Sequence, residues 1–122
     1  MSVSLFQKYG GFAAISKIVM SFYDRAIESD VIGGYFEGVD MRRLVDHQTK
    51  FISTIMGGPA SFSDDALRQA HAHLGIDRAA FDEMTDLHEA TLLQAEFAAG
   101  DVEKIISEIR AKSPLIVSSG GS

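Results

Sequence analysis

Four histidines, His47, His71, His73 and His88, are the residues of this 122-residue chain best suited to metal chemistry. There is no cysteine, which removes disulfides, thiolate metal sites and thiol nucleophiles together. A transition metal must therefore rely on imidazole or carboxylate, or arrive inside a cofactor. His71 lies four residues after Leu67 and three before Leu74, on the apolar face of a short helix. His73, about 200° further round, points to solvent. By spacing alone, an inward histidine such as His71 is more often a hydrogen-bonded core residue than a ligand. His71-x-His73 is also the wrong offset for two ligands on one helix face, where i and i+4 are needed. The chain has no HExxH, no glycine-rich phosphate loop and no serine in a strand–turn–helix setting, and Gly10-Gly11 is too short for nucleotide binding.

Three further polar residues interrupt apolar faces, where an inward polar group costs stability unless something satisfies it. Gln48 falls in the middle of a Leu44–Phe51–Ile55 stripe, and His47 at its edge, four residues before Phe51. Gln48 is either a buried amide bonded to neighbouring backbone or a donor facing a ligand. Tyr23, beside Phe22 and four residues after Val19, either packs with its hydroxyl in water or aims it into a pocket.

The elements that must position these groups are helical. Phe12, Ile15, Val19, Phe22 and Ala26 mark one buried helical face, preceded by Gly10-Gly11 and ended by Asp30 to Gly34. A second helix begins at Asp40 as N-cap and stops at Gly57-Gly58-Pro59. A short third helix runs from about Ser63 to His73 with Gly75 as its stop. Asp77 caps a fourth, which offers Phe81, Met84, Leu87, Thr91 and Leu92 to the core, and a last helix spans about Asp101 to Lys112 before Pro114. The loops Ile32–Asp40 and Gly57–Ser63 hold five of the eleven glycines. β-branched alternation is nearly absent, so the fold is all-α.

Length fits one domain over residues 1–122, with a core over about 5–112 and a disordered tail over 117–122. Apolar content of 46% suits a globular chain, and a net charge of −6 without basic blocks argues against nucleic acid or an anionic membrane as partner. No signal peptide and no apolar run of about 20 residues is present, so a soluble cytoplasmic monomer is expected.

Taken in order, Tyr9-Gly10-Gly11-Phe12-x-Ala14-Ile15, Phe22-Tyr23-Asp24-Arg25, Tyr35-Phe36-Glu37-Gly38-Val39-Asp40-Met41, His47-Gln48-x-x-Phe51, Gly57-Gly58-Pro59 and Ala70-His71-x-x-Leu74-Gly75-Ile76 through Phe81 resemble the truncated haemoglobins. The resemblance is to their first group, small globins with a two-over-two helical sandwich, and spans almost the whole chain. It implies a cofactor, haem b with its iron, with His71 as the proximal ligand and a backbone carbonyl as expected acceptor for its other ring nitrogen. Phe36 matches the aromatic that wedges the porphyrin, Leu44, Phe51, Leu74 and Phe81 fall at other cofactor-facing positions, and Phe51 matches a tunnel-lining position of some members. Tyr23 and Gln48 match the pair that donates hydrogen bonds to bound O₂.

The same resemblance places the distal histidine of longer globins near Leu44, which leaves that role vacant. His47, one turn later, occupies a position where some members carry a second axial histidine; the plainer reading is a solvent-edge histidine near a haem propionate. Some relatives attach haem covalently through a histidine near the C-terminus, but none follows His88, so non-covalent haem is expected. His88 sits where relatives usually carry an apolar residue, and it either fills core space with a local hydrogen bond or lines the back of the pocket. The function implied is binding of O₂, NO and CO, with NO dioxygenation and an external reductase as the chemistry. The rivals are a gas sensor, an oxygen carrier or an electron-transfer haem protein, and, without cofactor, a plain helical interaction module.

Overall fold

A computed structural model describes residues 4–58 and 76–117. Six α-helices are present among them: α1 Leu5–Lys8, α2 Gly11–Glu28, α3 Met41–Ile55, α4 Arg78–Gln94, α5 Ala99–Ala111 and α6 Ser113–Ile116. A 3₁₀ turn, Gly33–Phe36, links α2 to α3. No strand occurs among the described residues. Helix α2 packs on both α3 and α4, α4 packs on α5, and α3 reaches α5, so two helical pairs stack as the expected two-over-two sandwich. The third helix expected over about Ser63 to His73 lies outside the described residues.

Local chemistry sets each boundary. Gly10 turns the chain into α2 at φ 104°, where an added Cβ would stand 2.9 Å from the Cβ of Ala14. Asp40 and Asp77 cap α3 and α4 as expected, accepting hydrogen bonds from the backbone N–H of Arg43 at 3.3 Å and of Ala80 at 2.8 Å. After α2, the Ser29 hydroxyl accepts from Val31 and Ile32 N–H and donates to the Glu83 carboxylate at 2.7 Å, which fastens the turn to α4. Gly58 lies so close to α1 and α3 that a Cβ would meet the Phe6 ring at 2.7 Å and the Ser53 carbonyl at 2.9 Å.

Four expectations need correction. The stripe Leu44, Gln48 and Ile55 is only half-buried; the face of α3 turned to the core carries Thr49, Phe51, Ile52 and Ser53, with Met56 as C-cap beyond it. On α4 the fully enclosed residues are Phe81, Thr85, His88, Thr91 and Leu92, while Met84 and Leu87 are half-buried. The reason is shared: Thr49, Thr85 and Thr91 donate their hydroxyls to the carbonyls of Val45, Phe81 and Leu87, one turn back, at 2.7–2.9 Å. With the hydroxyl satisfied, threonine buries like valine. Phe12 is 42% exposed rather than inward, and meets Phe6 edge-to-face at 4.8 Å. The C-terminal region also departs: α5 starts at Ala99 rather than Asp101, and Pro114 opens α6 instead of ending the helical run. Val117 caps α6 and packs on the core, so the expected tail can begin only beyond it, outside the described residues.

Candidate functional site

Tyr23, Phe36 and Gln48 come together with His88 in one connected cluster drawn from four elements. The Phe36 ring, on the 3₁₀ turn, stands 5.5 Å from that of Tyr23 at 79°. Tyr23 and Phe22, adjacent on α2, meet edge-to-face at 4.9 Å. Phe22 then lies flat on the imidazole of His88 from α4, with centroids 3.7 Å apart and planes 3° from parallel. Across from it, Gln48 of α3 brings Nε2 to 3.2 Å from Nε2 of His88.

Burial controls the state of each polar group. Tyr23 is 6% exposed, and desolvation pushes its phenol well above the ordinary range, so it stays a protonated donor. Its hydroxyl makes no hydrogen bond to any described residue. His88 is 4% exposed, and burial drives its pKa from 6.5 down to about 3, so the imidazole is neutral at physiological pH. The role of His88 was left open by the sequence; the enclosed, hydrogen-bonded position answers for its packing. A signal existed: Phe81, Thr85, His88 and Leu92 are spaced for a single helical face.

The other named residues are distributed around this cluster. Leu44 is half-buried on the same stripe of α3 as Gln48, Phe51 is buried, and His47 is exposed on the outer side of α3. Phe81 is fully enclosed at the start of α4, with the Arg78 guanidinium 5.7 Å from its ring centre. His71, His73 and Leu74 lie outside the described residues. Between α2 and α3 an open groove of about 780 Å³ reaches Tyr23 and is bordered by Phe12, Met20, Ile27, Val45 and Thr49. Among the described residues no group of three or more histidines, aspartates or glutamates is placed to hold a metal ion. No described helix is long and apolar enough to cross a membrane.

The arrangement suits a flat apolar cofactor that carries its own metal. Phe36, Leu44, Ile55, Met84 and Leu87 are apolar yet only half-buried, and Gln48 stands among them. Tyr23 borders the groove with a hydroxyl that no described residue accepts.

Known proteins with these features converge on one family. A profile of the family described as Bacterial-like globin matches residues 4–113. The Group 1 truncated hemoglobin GlbN of Mycolicibacterium paratuberculosis is 31% identical over 106 residues, covering 87% of this chain and 75% of that protein. The Synechocystis protein of the same name is 31% identical over 112 residues, covering 88% and 87%. Among solved structures, the 2/2 hemoglobin of a Synechococcus species, in the cyanomet state with covalently attached heme, superposes with a TM-score of 0.86. It is 22% identical and covers 94% of this chain and 98% of its own. The truncated hemoglobin of Tetrahymena pyriformis, in the Fe(III) form of a tyrosine-to-phenylalanine variant, gives 0.85 at 20% identity over the same shares. The chain is a member of the bacterial-like globins, of the group 1 truncated haemoglobin kind, with haem iron as the cofactor that binds diatomic gases.

Proposed function

We propose that His71 carries the haem iron and that Tyr23 and Gln48 hold O₂ on the opposite side, so that the protein binds O₂ and NO and, with an external reductase, oxidises NO to nitrate. The observation that carries this reading is the Tyr23 hydroxyl: it belongs to a buried side chain held between two rings, borders the groove between α2 and α3, and is accepted by no described residue. Haem supplies the gas-binding iron and the electron exchange that NO oxidation requires.

The chain's own residues hold and screen that chemistry. Phe36, braced against Tyr23, together with Leu44, Phe51 and Leu74, grips the porphyrin, and Phe81 backs the pocket from the core. Tyr23 is fixed by rings on two sides, so its hydroxyl direction costs little to hold when a ligand arrives. Gln48 offers a second, weaker donor. The groove between α2 and α3 is bordered by Tyr23 and would offer small neutral gases a way in from solvent. His47 is the candidate second axial ligand. It is exposed on α3, so ligation requires its side chain to turn inward.

Absorbance spectra of the purified protein, ferric and then reduced with and without CO, test this reading. A haem spectrum that shifts with CO in the wild type, with haem retention or the CO shift lost in His71→Ala, is expected; a colourless protein overturns it. A high-spin ferric spectrum at neutral pH that His47→Ala leaves unchanged removes the His47 ligand. NO added to the oxygenated protein tests the chemistry, which fails if ferric haem forms no faster than with free haem.

A further inference from the structure

We propose that His88 is a positioning residue for the ligand pocket: held flat against Phe22, it accepts a hydrogen bond from Gln48 and so fixes which way the Gln48 amide faces. This rests on the reading of Gln48 as a ligand-side donor. An amide nitrogen only donates, so with Gln48 Nε2 3.2 Å from His88 Nε2 the ring nitrogen accepts and the ring proton sits on Nδ1. The opposite tautomer would turn the amide over and draw its oxygen to His88 instead.

Three observations make the pair a device for orientation and not a packing accident. The imidazole is stacked on Phe22 within 3° of parallel, so its nitrogens have a fixed direction. Burial keeps the ring neutral, leaving one nitrogen able to accept. Gln48 is otherwise a flexible side chain on a half-buried stripe, and Nε2 on His88 leaves it a single N–H and an oxygen to present elsewhere. His88 acts through Gln48, and through Phe22 its ring is linked to that of Tyr23.

The test uses the haem-loaded protein with four variants, Gln48→Leu, His88→Phe, His88→Asn and the double variant of Gln48→Leu with His88→Phe, and two measurements. ¹⁵N NMR of the wild type reads the His88 tautomer directly and needs no gas. A proton on Nδ1 is expected, and a proton on Nε2 overturns the proposal. The second measurement is the O₂ dissociation rate together with the C–O stretch of the CO adduct. His88→Phe keeps a ring on Phe22 but no acceptor; a roughly two- to tenfold faster O₂ release is expected, with a broadened or split C–O band. Gln48→Leu should then add nothing in the His88→Phe background, and His88→Asn, which restores an acceptor, should return a single band. If Gln48→Leu changes release and His88→Phe does not, the positioning role is overturned. If neither changes release, it is the ligand-side reading of Gln48 that fails, and the tautomer alone decides the pairing.

Discussion

Two polar clusters, each built round a tyrosine, divide the work of this small globin. At the outer seam, the Tyr9 hydroxyl donates to Asp101 and accepts from the Ala98 N–H at 3.1 Å, while its ring lies on Phe97 at 3.6 Å. Lys8 completes the group with an ion pair to Asp101 at 2.6 Å. Inside, Tyr23 belongs to a cluster with Phe36, Phe22, His88 and Gln48 that contains no charge, and its hydroxyl has no partner among the described residues. The outer tyrosine is saturated and serves the fold; the inner one has no acceptor among the described residues, and the proposed pocket gives it a ligand to hold. Protonation follows the same division. Hydrogen bonds from Lys8 and Tyr9 hold the Asp101 carboxyl below its ordinary range, whereas burial alone displaces His88 and Tyr23.

The largest expected difference between the clusters appears in acid. His88 is neutral in the folded protein down to about pH 3 but titrates near 6.5 when unfolded. The unfolded chain therefore binds the extra proton, and stability falls as pH drops from about 6.5 to about 3. The cumulative loss is about 5 kcal/mol if the whole shift is expressed. Asp101 behaves otherwise: its depressed pKa contributes stability above its unfolded value of 3.8, lost only as pH falls below that. Denaturant melts of wild type and His88→Phe at pH 7, 5, 4 and 3 separate the two. The variant should lose its pH dependence between 6.5 and 4 and keep the drop below 4. An unchanged slope in that upper window would show that His88 titrates normally.

Next in size is Tyr23→Phe. The ring contacts with Phe22 and Phe36 survive, so thermal stability should hold or rise slightly, because an unaccepted hydroxyl is removed. O₂ release should accelerate roughly ten- to hundredfold, as expected for a hydrogen bond to a ligand with negative charge. Stopped-flow O₂ dissociation beside a thermal melt reads both. A variant that melts early with unchanged release would place Tyr23 with Tyr9 as a structural residue.

How much of this was legible in the sequence depends on which force decided each residue. Caps at Asp40 and Asp77 were readable because they act over three residues of chain. The start of α5 was not. Ala98 has no capping side chain, and its N–H is received by Tyr9, some ninety residues away in sequence. Hydropathy hides the rotation of the α3 core face toward Thr49, because it scores a hydroxyl as polar even where the preceding turn accepts it. That error was also informative. The stripe Leu44–Gln48–Ile55, expected inward and found half-buried, is the face that the proposed pocket turns to the cofactor. Tyr23 and Gln48 were visible as odd types at odd places and Phe36 through the family resemblance, but their mutual contacts, and the intervention of Phe22 and His88, required three dimensions.

The smaller effects lie in the outer cluster and sharpen its internal ranking. Tyr9→Phe keeps the stack on Phe97 but strips Ala98 of its acceptor and Asp101 of a donor, and should cost about 1 kcal/mol with unchanged ligand kinetics.

Lys8→Met should do less still. Lys8 is half-exposed, and its pair with Asp101 stands where salt screens it. Tyr9 still donates to Asp101 in that variant, so the carboxylate remains anchored at the first turn of α5, where the helix dipole favours it. Melts at low and at 1 M salt should show a small gap between wild type and Lys8→Met that closes as salt rises, while the gap for Tyr9→Phe stays open. If Lys8→Met proves the more damaging of the two, the outer seam is organised by charge and not by the hydroxyl. The contrast with the uncharged inner cluster would then be one of electrostatics alone.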